Sequence, residues 1–347
     1  MAVAETSGRN GSGETRSVPS FLLLICFGLF ALMVAVTAFS LFWRVKGLTF
    51  GNWLELFDGE SESLMAYTVW SIRLPRALLA LLLGSVLAVA GCLLQGITRN
   101  DLADPEVIGV NQGASLFVVL SLLWFDTKDA SLLILLSAFC GALLGGIVVY
   151  VLSLQGRYTP IRLVLAGLAV SYLFGSLTTG LLLMNEATLT DILYWMAGKL
   201  SGADWNDIRI ALYGLMPAVL LGWMIASQLN VLALGDEMAG GLGQRTVFIR
   251  RFAMFLASVL VGGSVALAGP IGFVGLMVPH MARLMTGPNY RLLIPLSALL
   301  GADLLLLSDV AGQMLFYPLE TPVGIVTALT GTPFFLFLMR RKKGERA

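Results

Sequence analysis

The chain has 347 residues, 57% of them hydrophobic and only 12% charged, with a mean hydropathy of +0.86. A water-soluble domain of that length carries about twice the charged fraction, so most of the sequence is read as lying in lipid. The formal net charge is +1 and no basic patch is interleaved with aromatic residues, which excludes nucleic-acid binding. The one histidine, His280, cannot build a multi-histidine metal site. Cys26, Cys92 and Cys140 lie apart in apolar runs and are expected to be buried thiols acting as small hydrophobes.

Residues 1–19 are polar and are expected to form a disordered cytoplasmic tail. The apolar run from Phe21 to Phe42 is longer than a signal-peptide core of about 7–15 residues, so it reads as a retained first span. A membrane helix needs about 20 largely apolar residues. Continuous apolar runs, rather than alternating ones, choose helices over a barrel. The expectation is an all-α membrane protein with about ten transmembrane helices, near residues 20–43, 75–97, 107–125, 131–153, 161–184, 208–228, 251–268, 271–286, 292–315 and 322–340. They would form a single domain over 20–341, followed by a basic tail over 342–347.

Most Lys and Arg residues fall on one side when the spans alternate, among them Arg99, Arg245, Arg250 and Arg251. The closing Arg340-Arg341-Lys342-Lys343 joins them and places both termini in the cytoplasm. Several spans look interrupted. The third opens on Gly109-Val110-Asn111-Gln112-Gly113, and the eighth opens on Gly269-Pro270 and carries Pro279. Gly141 and Gly145 form a GxxxG pair suited to close helix packing; broken helices lining a path are the alternative. Ser85–Gly91 in the second span echoes Ser264–Gly269 in the seventh, as an inverted repeat would.

Two connections carry a pattern of their own. The outer one, Val45–Ile72, mixes Phe50, Trp53, Leu54 and Phe57 with polar residues and reads as an amphipathic segment at the membrane interface. The inner one, over 229–250, reads as two short helices broken at glycines. Leu232, Leu234, Met238 and Leu242 there are apolar residues in an aqueous loop, a pattern suited to protein docking. Asp303 and Asp309 fall inside the ninth span, where carboxylates are functional candidates or partners of neighbouring helices. His280 is placed at the polar end of the eighth span.

Read together, the motifs resemble a known family. Arg73-Leu74-Pro75-Arg76 is followed by Gly91-Cys92-Leu93-Leu94-Gln95-Gly96, Arg99-Asn100-Asp101-Leu102-Ala103-Asp104-Pro105 and Ile108-Gly109-Val110-Asn111-Gln112-Gly113-Ala114. Leu232-Ala233-Leu234-Gly235-Asp236, Ala268-Gly269-Pro270-Ile271-Gly272-Phe273 and Val278-Pro279-His280-Met281-Ala282-Arg283 follow. Pro322-Val323-Gly324 and Gly331-Thr332-Pro333 complete the set. The ordered set, from about Phe21 to Arg341, is similar to the permeases of iron-siderophore and vitamin B12 importers of the ATP-binding-cassette class.

The resemblance implies a bacterial cytoplasmic-membrane permease that works with a second permease subunit, identical or sister. It also implies two cytoplasmic ATPase subunits and an extracytoplasmic substrate-binding protein. ATP and Mg would sit on the ATPase, with no cofactor on this chain; the sequence has no GxxxxGK[ST] loop. Arg73 and Arg76, at the outer mouth, would dock carboxylates of the binding protein, since a guanidinium binds carboxylate in a two-pronged way. Interfacial anchoring is the alternative. A third outer arginine of the B12 permease is matched here by Gln313. Leu234, Gly235, Asp236, Glu237, Leu242 and Gly243 would press into the ATPase. The cargo path would include Ser171, Gly175, Ser176 and Thr179 of the fifth span, with Thr159 of the preceding loop at the inner gate. Such a wall, without fixed metal ligands, suits a large chelate better than a bare cation. Ferric siderophore, haem and cobalamin stay open as cargo, and an ion-coupled secondary transporter using Asp303 and Asp309 is the rival from another class.

Overall fold

The computed structural model describes residues 20–43, 64–124, 131–153, 160–184 and 189–344. The expected tail at 1–19, most of the outer amphipathic segment and the gate residue Thr159 lie outside the described residues. In chain order the helices are α1 (Ser20–Phe42), α2 (Leu64–Tyr67), α3 (Leu74–Thr98), α4 (Val110–Trp124), α5 (Ser131–Ser153), α6 (Pro160–Leu183), α7 (Leu189–Met196) and α8 (Trp205–Ile210). There follow α9 (Met216–Met224), α10 (Ala226–Ala233), α11 (Asp236–Gly241), α12 (Thr246–Ala268), α13 (Val274–Thr286), α14 (Tyr290–Leu315) and α15 (Val323–Gly344). No strand occurs among the described residues beyond one isolated bridge, Phe316 with Leu319. Among the described residues, seven helical stretches are long and apolar enough to cross a membrane; α4 and the apolar part of α15 are shorter.

Lipid offers no hydrophobic drive for helices to associate, so close van der Waals packing must hold them together. Small residues supply it. α3 is the central helix and packs on α12, α13 and α14. Where it crosses α14, a Cβ on Gly84 would lie 2.1 Å from the Gly301 carbonyl oxygen, and where it crosses α13 a Cβ on Gly91 would lie 1.9 Å from that of Gly275. The Gly141 and Gly145 pair brings α5 onto Gly113 and Gly109 at the start of α4.

The structure refines several sequence expectations. The second span starts at Leu64, eleven residues before the expected 75, and reaches α3 through a π-helical turn, Thr68–Arg73. Leu232 is a core residue, not part of a docking face: with Leu229 it is fully buried, because Asn230 ties α10 down by bonds to Asn289 and the Tyr290 backbone N–H, each 2.8 Å. His280 lies mid-way along α13, edge-on to Phe334 of α15 at 6.2 Å, rather than at a helix end. Of the cysteines only Cys92 is buried; Cys140 is exposed on the outward side of α5.

Candidate translocation path and coupling face

The third span does not begin directly as an α-helix. α3 ends at Thr98, where Arg99 turns left-handed at φ 50°, and Pro105 then opens a short 3₁₀ turn, Pro105–Ile108, capped by Asp104, whose Oδ1 accepts from the Glu106 N–H at 3.2 Å. This turn sits between α6 and the non-helical stretch that leads into α13. Two cavities of about 740 and 630 Å³ open there, and both are lined by Glu106 and Gln112. The larger runs along α6 past Ser171, Gly175, Ser176 and Thr179, four of the five residues expected on the path. Their spacing places Ser171, Gly175 and Thr179 one turn apart on one helix face. Thr178, next in sequence to Thr179, is instead buried, and its hydroxyl donates to the Phe174 carbonyl at 2.8 Å.

The smaller cavity is walled by Pro270, Gly272 and Phe273 before α13 and by Gly324, Ala328 and Thr332 of α15. Phe273 holds a left-handed backbone, φ 68°, and its ring meets Gly331. Non-helical backbone at this depth is tolerated where it lines a cavity.

At one end of the bundle lies the segment read as the coupling loop. Gly235, at φ 113°, turns the chain between α10 and α11, a conformation open to glycine alone. Asp236 Oδ1 accepts from Arg99, just past the end of α3, and from Arg250 of α12. Asp236 is thus held by its own chain. Leu234, Met238 and Leu242 are 57%, 61% and 66% exposed, and Glu237 and Gly243 are exposed beside them. Nearby, Arg283 of α13 bonds Asp101 at 2.6 Å.

The other end carries the two arginines expected at the outer mouth. Arg73 donates to the carbonyls of Ser40, Leu41 and Trp43 and so caps the end of α1. Arg76 grips Asp309 of α14 two-pronged, at 3.0 and 2.9 Å, and reaches Glu320 at 2.7 Å. Gln313 donates to the same Asp309 at 2.8 Å. Asp309 therefore has its partner in Arg76, whereas both oxygens of the buried Asp303 have no hydrogen-bond partner among the described residues.

With the geometry in hand, comparison with known proteins is decisive. Residues 31–341 match the FecCD transport family. The chain belongs to that family. Among FecCD relatives, the Fe(3+)-citrate import system permease protein YfmD of Bacillus subtilis is 44% identical over 322 residues, 92% of this chain and 93% of that one. The iron(3+)-hydroxamate import system permease protein FhuB of the same organism is 37% identical over 324 residues, 93% of this chain and 82% of that one. A solved structure described as an inward-facing metal-chelate type ABC transporter shares the fold at a TM-score of 0.81 and 29% identity, covering 92% of this chain and 99% of its own. The family recognised from the ordered motifs is the family found, and the chain is a multi-pass membrane protein.

Sequence reasoning missed Glu106, Gln112 and the α15 side of the path. The signal was present in the polar Asp104-Pro105-Glu106 run at the opening of a span, where a carboxylate is a functional candidate.

Proposed function

We infer that this FecCD chain is the membrane permease subunit of an ATP-driven importer that carries a ferric-siderophore-type chelate inward. The observation that carries the reading is the pair of cavities meeting at Glu106 and Gln112. Their volumes, about 740 and 630 Å³, suit a chelate rather than a bare ion. Their wall offers hydroxyls, an amide and one carboxylate. The relatives named for ferric citrate and ferric hydroxamate import support the cargo class.

On this reading the chain crosses the bacterial cytoplasmic membrane about ten times, with both termini in the cytoplasm. A second permease subunit closes the open side of the cavities. Leu234, Met238 and Leu242 present an apolar face to a cytoplasmic ATPase, which holds the ATP and Mg, and Gly235, Asp236, Glu237 and Gly243 shape that face. Thr159 belongs to the inner gate. Arg73 and Arg76 belong to the outer rim where the substrate-binding protein docks. Their bonds to α1, Asp309 and Glu320 favour a role in shaping that rim over direct pairing with the partner's carboxylates.

The test is uptake of a panel of radioactive ferric chelates into proteoliposomes holding this chain, its ATPase and its binding protein. Accumulation of a ferric chelate only with internal ATP is expected. Accumulation of cobalamin or haem in its place would keep the machine and replace the cargo. Uptake that ignores ATP and follows a proton gradient would overturn the importer reading and make the unpartnered Asp303 the place to look.

A further inference from the structure

Glu106 is the one carboxylate lining either cavity among the described residues, and no lysine or arginine lines them. Its backbone is fixed twice, by the bond from its N–H to Asp104 and by the Ser171 hydroxyl, which donates to its carbonyl at 3.4 Å. Its side chain lies over Gly272: a Cβ there would come within 2.4 Å of Glu106 Oε2. Gln112 lies over Gly175 in the same manner, its Oε1 at 3.6 Å from where a Cβ would be. Two polar tips thus rest on two glycines of opposite walls and stay in the open space between them. No hydrogen bond or ion pair engages the Glu106 carboxylate among the described residues, and Asp104 behind it supplies no positive charge.

A carboxylate without a cation, in a wall of low polarity, repels anions far more strongly than it would in water. A site built this way discriminates through the mismatch it creates as much as through the match. Iron chelates differ in this respect. A hydroxamate shell cancels the ferric charge and leaves the complex neutral, or cationic where an amine arm is free. Catecholate and citrate shells leave it negative.

We propose that Glu106 is the charge-selecting residue of the path, admitting neutral or cationic ferric hydroxamates and rejecting polyanionic ferric chelates. The inference rests on the permease reading above. Gln112, opposite, supplies an amide that hydrogen-bonds either kind and does not read charge.

The experiment compares wild type with Glu106→Gln in proteoliposomes with ATP inside. The probes are a ferric trishydroxamate bearing a free amine, its succinylated anionic derivative, a ferric catecholate and ferric citrate. One binding protein serves both chains, so its own preference cancels when their uptake ratios are compared. Wild type is expected to favour the amine-bearing form, and Glu106→Gln to shift the ratio toward the anionic forms by about tenfold. Gly272→Ala, which displaces the Glu106 carboxylate without removing it, should shift the ratio in the same direction. A ratio that Glu106→Gln leaves unchanged overturns the charge-selecting role and leaves the importer reading standing. No ATP-dependent uptake of any ferric chelate by wild type overturns both.

Discussion

The two ends of the helix bundle are tied by ion pairs of opposite character. At the end carrying Arg76, the pair is buried: the Arg76 side chain is 11% exposed and that of Asp309 2%. At the end carrying Asp236, the acid is 48% exposed and shared between Arg99, 29% exposed, and the buried Arg250. A buried pair is costly to break because it strands a charge in a medium that cannot solvate it. Where the acid is half in water, breaking the bond costs less, since water can solvate the released carboxylate, although Arg250 itself is buried. The first tie therefore acts as a strut across α3, α14 and the chain before α15. The second holds α11, the proposed coupling face, on α3 and α12 and gives way at lower cost than the first. On the proposed reading, that is the end an ATPase would drive.

The sharpest way to break the comparison is Arg76→Ala. It leaves Asp309 buried with only Gln313 to bond it, and the protein should lose about 3–5 kcal/mol of stability, read as a large fall in the thermal midpoint in detergent. Replacing Arg76 and Asp309 together by Met and Leu should restore most of that loss. If the single variant melts like wild type, Arg76 is not a strut.

Next in size is Gly91→Ala at the crossing of α3 and α13. The added methyl would lie 1.9 Å from the Gly275 carbonyl oxygen and must push the helices apart, which should cost about 1–3 kcal/mol. Gly240→Ala, on α11 with nothing within 4 Å of the added atom, is the control and should melt with wild type.

Asp236→Asn should cost less stability than Arg76→Ala, since the amide keeps an oxygen to accept from Arg250. Its effect belongs in the coupling: iron delivered per ATP hydrolysed should fall severalfold. An unchanged ratio would mean that the Asp236 tie carries no force.

These contrasts also mark what the sequence could tell. The long apolar runs were legible because lipid demands them. So was the α6 wall, because small polar residues recur on one helix face. The glycine contacts of α5 were legible as a spacing; their partners on α4 were not. Arg76 and Asp309 are 233 positions apart, and no local pattern couples them. Leu232 was misread because an apolar residue between short helices looks alike whether it docks on a partner or on its own core; Asn230, two residues before it, decided the matter through a tertiary bond. The helix α7 was missed because, at eight residues, it is too short to leave a clear period. Glu106 was passed over because a single carboxylate beside a proline has no spacing that marks a cavity wall.

The central claim is that the bundle is a chelate path worked through the half-exposed Asp236 tie. The most direct test measures iron delivered and ATP hydrolysed in the same proteoliposomes, for wild type and Asp236→Asn. The account predicts that wild type delivers ferric chelate in proportion to ATP hydrolysed, while Asp236→Asn goes on hydrolysing ATP and delivers much less iron. Equal delivery by both chains, or delivery at full rate with no ATP present, would contradict it.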